Sequence, residues 1–153
     1  GNYTKPSMRK SLFNRIKEHE GFRNTVYSDS LGFATIGYGH LVLPSDDFVE
    51  GVEYSEEELN NVFEVDFNTA EKDATQLIEE HEVELNHNAK CVIIEMCFQL
   101  GKPRVKLFKK MWAALQIKDF GEASFQMMDS RWAKQTPSRA ESLAKIMRAS
   151  NEV

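Results

Sequence analysis

Two carboxylates near the start of the chain stand where the local texture changes. Glu20 closes an amphipathic stretch and is followed by Gly21, and Asp29 lies nine positions later between two serines and a Gly32 bend. Splitting an acetal link between sugars needs one carboxyl kept protonated to give its proton to the leaving oxygen. It also needs one kept ionised to support positive charge or to orient a water. Glu20, beside Phe22 and a helix end, suits the first task, and Asp29, between Ser28 and Ser30, suits the second. The spacing alone selects nothing, because 24 acidic residues produce such pairs by chance. A surface Glu and a turn Asp accepting backbone N–H bonds explain the same two residues.

The elements that must carry the pair can be read from periodicity. Residues 6–19 open with Pro6 and bring Leu12, Phe13 and Ile16 to one side, which predicts a first helix. From Phe22 to Leu43, Val26, Tyr27, Phe33, Thr35, Ile36, Tyr38, Leu41 and Val42 alternate with Gly32, Gly37 and Gly39, the pattern of short strands and tight turns. Pro44, Ser45, Asp46 and Asp47 break the chain. Ser55 with Glu58 forms a capping box that starts a long acidic helix running to about Glu80. Beyond Asn86-His87-Asn88, residues 89–100 are nearly all apolar, and amphipathic stretches follow at 105–117, 119–128 and 138–148. The expected fold is α+β, a small β patch in an otherwise helical protein.

With 153 residues the chain can bury a core without disulfides. Cys91 and Cys97, six positions apart on one predicted helix, are about 9 Å apart along its axis, too far to bridge, and are expected as reduced core thiols. Histidines at 19, 40, 81 and 87 are scattered, so no metal site and no cofactor are expected. No window is long and apolar enough for a membrane span, and no secretory leader is visible, which predicts a protein made soluble in a cytoplasm. Gly1 in place of an initiator Met reads as a trimmed or excised start, so the missing leader carries little weight. The net charge of −5 divides unevenly: residues 1–81 hold 7 Lys and Arg against 16 Asp and Glu, and residues 82–153 hold 12 against 8. Lys102, Arg104, Lys106, Lys109 and Lys110 form the densest basic run, which could face a polyanion or be an ordinary solvated surface. No aromatic-flanked basic reader of nucleic acid is present, so no nucleic-acid partner is expected.

One long stretch gives the carboxylates a context. Residues 19–41, HEGFRNTVYSDSLGFATIGYGHL, resemble the signature of T-even phage lysozymes, glycoside hydrolase family 24: Glu-Gly, Tyr-x-Asp, a Gly-aromatic turn, then Thr-Ile-Gly-x-Gly-His. Cys97-Phe98-Gln99-Leu100-Gly101 is similar to that family's Phe-Gln-x-Gly helix end. Ser130-Arg131-Trp132 and Gln135-Thr136-Pro137-Ser138-Arg139-Ala140 resemble its C-terminal block.

The resemblance implies Glu20 as general acid, with Asp29 and Thr35 holding the attacking water. A hydroxyl there is physically apt, since a held water needs polar partners. It also implies saccharide contacts at Leu41, Phe98, Gln99 and Gln126, Arg139 beside Glu20, and a structural pair of His40 with Asp66. A family contact made by a small hydroxyl residue falls here on Met111. Trp112 and Trp132 read as core. The implied domain is single, 1–153, with a β-rich lobe 20–54, a connecting helix 55–80, and a helical lobe 82–150 on which helix 6–19 packs.

The implied activity is that of an endo-acting muramidase that cuts the β-1,4 bond between N-acetylmuramic acid and N-acetylglucosamine in peptidoglycan. A water-holding Thr35 points to inversion. A monomer is expected, without stable membrane insertion. It would be made in the host cytoplasm and reach the wall after membrane permeabilisation by a separate holin. A tail-borne lysozyme acting at entry, a non-catalytic wall-binding domain of the same fold, and a chitin-directed glycosidase are the alternatives. One departure stands out. Ser55 follows His40 by only 15 positions, too few for the extra short helix of the T-even β lobe, and outer sugar subsites and peptide-stem preference depend on that lobe.

Overall fold

The computed structural model describes residues 6–151, with side chains from Arg9 to Ser150; the N-terminal segment inspected for a leader lies outside them. The described residues divide into two compact units, 6–69 and 70–151.

The first unit begins with α1, Pro6–Glu20. Leu12 and Ile16, one turn apart, are buried. Phe13 meets Phe63 and Phe67 edge-on, with ring centroids 4.6 and 5.4 Å away. Those two rings belong to α2, Glu56–Glu80, which presents Leu59, Phe63 and Phe67 as one buried stripe at four-residue spacing. The Ser55 hydroxyl accepts from the Glu58 N–H at 3.1 Å, so the helix starts on the predicted cap. Between the helices runs a three-stranded antiparallel sheet in the order β1-β2-β3, formed by Arg23–Ser28, Ala34–Gly37 and His40–Leu41. Thr35 on the central strand has Tyr27 as its Cα partner on one side and Leu41 on the other. Residues 42–55 contain no helix. This shortened segment is tied down by Tyr54, whose N–H donates to the Asn24 carbonyl at 3.0 Å and whose hydroxyl accepts from the Val49 N–H at 2.7 Å. The division between the units falls inside α2, between Thr69 and Ala70.

The second unit is helical. It holds the end of α2 with α3 His87–Leu100, α4 Lys102–Lys106, α5 Lys109–Gln116, α6 Phe120–Met128, α7 Arg131–Gln135 and α8 Pro137–Arg148, then a 3-10 turn at Ala149–Asn151. Asn86 caps α3 by accepting from the Ala89 N–H, and residues 89–97 of that helix are all buried. The α+β expectation holds. One stretch does not: the predicted helix 105–117 is two helices, with Phe108 non-helical and the Val105 carbonyl accepting from the Phe108 N–H at 3.1 Å and the Trp112 indole N–H at 3.0 Å. The hydrophobic period continues across the break, which hid it from the sequence. Ser130 caps the short α7, also unread from the sequence, by accepting from the Ala133 N–H. Both tryptophans are core residues, 1% and 2% exposed, and both cysteines are free and buried. Among the described residues no helix is long and apolar enough to cross a membrane.

Candidate active site

Within the first unit the chain brings Glu20, Asp29 and Thr35 to the ends of neighbouring elements. Glu20 is the last residue of α1, and Gly21 follows at φ +72°, a left-handed conformation that ends the helix. The Gly21 N–H closes that turn on the Lys17 carbonyl at 3.1 Å. On its other side the Glu20 carboxyl abuts the turn between β2 and β3. A Cβ at Gly39 would stand 2.5 Å from Glu20 Oε1, so only glycine leaves the carboxyl its place.

Asp29 begins the β1–β2 turn. Its Oδ1 accepts from the N–H groups of Leu31 at 2.9 Å and Phe33 at 2.8 Å. Its own N–H donates to the Phe33 carbonyl. Two N–H donors on one oxygen suit an anionic acceptor and fix the carboxylate's direction. No hydrogen bond among the described residues engages Oδ2, which is left to take a proton donor from outside. Thr35 is only 5% exposed, and its hydroxyl donates to the Phe33 carbonyl at 2.9 Å. With its proton committed, Thr35 Oγ1 can act only as an acceptor toward a further group. Asp29 and Thr35 therefore both lean on Phe33, and both present an oxygen acceptor. Leu41, the β3 partner of Thr35, is half-exposed beside them.

His40 anchors the far end of this sheet. Its Nδ1 lies 2.7 Å from Asp66 Oδ2 on α2, and its Nε2 lies 2.9 Å from Asp46 Oδ2. Asp46 also accepts the Leu43 N–H at 2.7 Å. The hydrogen bond to Asp66 leads in raising the His40 pKa to about 9; burial opposes it, and Asp46 adds to it. Burial pushes the Asp46 carboxyl upward, but the Leu43 N–H and the His40 ring outweigh it and hold the group below its ordinary value. Asp46 was read in the sequence only as a loop breaker. Its one signal was the sharing of that loop with a histidine six positions earlier.

The other residues singled out from the sequence belong to the second unit. Gln99 on α3 is engaged at both ends of its amide: Oε1 accepts from the Trp132 indole N–H at 2.9 Å, and Nε2 donates to Thr136 at 3.4 Å. Phe98 precedes it. An open depression of about 570 Å³ is lined by Phe108, Met111, Gln126 and Trp132, with Arg104, Lys109, Lys110 and Arg131 among its cationic neighbours. Met111 is wholly buried in its floor, and Gln126 donates to Glu122 at 2.8 Å. Arg139 is held by Glu95: Nε donates to Oε2 at 3.0 Å, and Glu95 has no exposed surface. Sequence reasoning passed over Glu95. A lone acid in an otherwise apolar, buried helix was itself the signal, because a buried charge demands a partner.

The sequence profile of the family described as Phage lysozyme matches residues 17–151. The chain belongs to the phage lysozyme family. It is 30% identical to probable T4-type lysozyme 2 of Dictyostelium discoideum, over 87% of this chain and 91% of that protein. Against peptidoglycan hydrolase gp36 of Pseudomonas phage phiKMV the identity is also 30%, over 92% of this chain but 16% of that protein. It is 28% identical to the pre-baseplate central spike protein Gp5 of Enterobacteria phage T4, over 92% of this chain and 28% of that one. A chain of this family, with these relatives, is a glycoside hydrolase of the lysozyme type.

Proposed function

We propose that the chain hydrolyses the β-1,4 bond between N-acetylmuramic acid and N-acetylglucosamine in bacterial peptidoglycan by a single displacement that inverts the anomeric centre. The family and the relative called a peptidoglycan hydrolase support the substrate. Glu20 gives its proton to the leaving oxygen. Asp29 Oδ2 and Thr35 Oγ1 accept the two hydrogens of the attacking water. As that water's oxygen bonds to the anomeric carbon, one of its protons passes to Asp29. The observation that carries this reading is the shared use of Phe33. One carboxylate oxygen is fixed by the Phe33 N–H, and one hydroxyl has its proton taken by the Phe33 carbonyl, so each offers an acceptor lone pair outward.

The test is loss of turbidity of purified peptidoglycan together with the anomeric configuration of the first product by NMR. Wild-type protein clearing the suspension and releasing the inverted anomer, with Glu20→Gln inactive, is the expected result. Retained configuration, or equal activity of the two proteins, refutes the assignment. Action at the wall after another protein has permeabilised the membrane fits a lytic role. The likeness to a central spike protein supports a second setting, a lysozyme module that opens the wall at phage entry.

A further inference from the structure

We propose that Tyr38 is a further positioning residue of this site: its ring, seated against Lys17 and Phe22, holds the β2–β3 turn on Glu20 and so fixes where the acid stands. The role rests on Glu20 as the proton donor proposed above.

The turn needs an anchor because of its own residues. It runs from Gly37 to Gly39, between Ile36 and His40, which are paired across the two strands. Both glycines have left-handed φ, +66° and +77°. Glycine moves among backbone regions at little cost, so such a turn is loose unless something else holds it. Position 39 must nonetheless be glycine, since a Cβ there would stand 2.5 Å from Glu20 Oε1. Tyr38 is left as the turn's one side chain.

That side chain meets the chain on both sides of Glu20. Three positions before the acid, the Lys17 ammonium lies 4.8 Å from the Tyr38 ring centroid. Two positions after it, the Phe22 ring lies 4.9 Å from the same centroid, tilted by 42°. Phe63 on α2 adds a third contact at 5.3 Å. Lys17 is itself fixed: its Nζ donates to Asn60 on α2 at 2.8 Å, and its carbonyl takes the Gly21 N–H that closes the helix end. The ring thereby ties the turn to the same short segment that carries the acid.

The consequence falls on the reaction step. The Gly39 backbone is a wall against which the Glu20 carboxyl rests. A turn that drifts from α1 gives the carboxyl room to rotate away from the leaving oxygen. Lost alignment slows proton transfer, whereas sugar binding is shared among many other contacts, so the loss belongs to kcat and not to KM.

The test measures kcat and KM on soluble peptidoglycan fragments for wild type, Glu20→Gln, Tyr38→Ala, Tyr38→Phe and Phe67→Leu, at a temperature where circular dichroism shows each protein folded. Phe67 lies in the same core one helical turn beyond Phe63, so its variant reports general destabilisation. In Tyr38→Ala, kcat is expected to fall about 10- to 100-fold with KM within about twofold. Tyr38→Phe keeps the ring and should stay within about twofold of wild type in both. Phe67→Leu should lose melting temperature and keep its kcat. Should Tyr38→Ala not fold, Phe22→Ala, at a position 42% exposed, removes one side of the seat and should lower kcat about 3- to 10-fold. The carbon-13 signal of the Glu20 carboxyl, assigned by its absence from Glu20→Gln, should shift in Tyr38→Ala and Phe22→Ala but not in Tyr38→Phe or Phe67→Leu. Wild-type kcat with an unshifted Glu20 signal in the alanine variants overturns the role of Tyr38. So does a fall in kcat that tracks melting temperature equally in Phe67→Leu. An inactive wild type or an active Glu20→Gln overturns the proposed function instead, and the carbon signal still decides whether Tyr38 holds Glu20 in place.

Discussion

Asp46 takes the ring nitrogen of His40 that Asp66 leaves open, so two carboxylates grip opposite edges of one imidazole at 2.9 and 2.7 Å. Both partners are acceptors, which requires a proton on each nitrogen: the ring is an imidazolium. The arrangement joins β3 to the loop of residues 42–55 and to α2.

The pH dependence of folding follows from that cluster. The His40 pKa is raised to about 9, so the folded state holds its proton more tightly than the unfolded one. The resulting stabilisation is complete below the unfolded value of about 6.5 and is lost as pH rises through about 9. For a half-buried ring the effect is about 2 kcal/mol after allowance for solvent screening. Asp46, held below its ordinary value, adds stability that disappears as pH falls through its folded pKa. Urea titrations should therefore show the unfolding free energy declining between pH 6.5 and 9 in wild type. His40→Asn should flatten that decline, and an equal slope in both proteins would remove His40 as its source.

How far the sequence revealed the molecule varied with the kind of signal. Regular period and punctuation placed α1, the sheet and α2 well, because Pro6, the Gly32, Gly37 and Gly39 turns and the Ser55 cap act locally. The Leu107-Phe108 break was invisible: Val105 and Met111 on either side are both buried, so hydrophobic spacing ran straight through it. Glu20 and Asp29 stood out as candidates only through their motif, not through their nine-residue spacing. What the motif could not supply was the set of partners. Glu95 finds Arg139 44 positions away, and Asp46 and the Phe33 backbone groups act over two to six positions through loop and turn geometry that residue types alone do not specify.

The Glu95–Arg139 pair carries a large stability penalty for being broken. Glu95 has no exposed surface, and Arg139 is 12% exposed, so removing either one takes a charge-assisted contact from a charge that water barely reaches. Arg139→Ala or Glu95→Ala should each cost about 3–5 kcal/mol. Replacing both with apolar residues of similar volume, Glu95→Leu with Arg139→Met, removes both buried charges and should recover most of that loss. Chemical denaturation of the four proteins closes the cycle. Single variants within about 1 kcal/mol of wild type would show that the pair is not desolvated as the geometry requires.

Cys97 should be chemically silent in the folded protein. Burial leads, with Asp73 assisting and Lys102 opposing, in pushing its thiol up to about 12. At pH 8 only about one molecule in ten thousand would carry the reactive thiolate. Iodoacetamide followed by peptide mass spectrometry should find Cys97 unmodified in native protein and fully alkylated in urea. Rapid native labelling would mean that α3 opens locally.

Gly39 and Gly32 separate backbone strain from damage to the site. Both sit at left-handed φ, +77° and +87°, so an alanine at either place costs about 1–2 kcal/mol. Their surroundings differ. A Cβ at Gly32 meets nothing within 4 Å, whereas one at Gly39 would lie 2.5 Å from Glu20 Oε1 and must displace that carboxyl. The two variants should therefore melt at similar temperatures, a few degrees below wild type. Only Gly39→Ala should also lose activity, by about 100-fold, because an acid displaced by about 1 Å no longer lines up with the leaving oxygen. Parallel melting curves and turbidity assays make the comparison. Full activity in Gly39→Ala would count against a Glu20 carboxyl held at this turn as the proton donor proposed above.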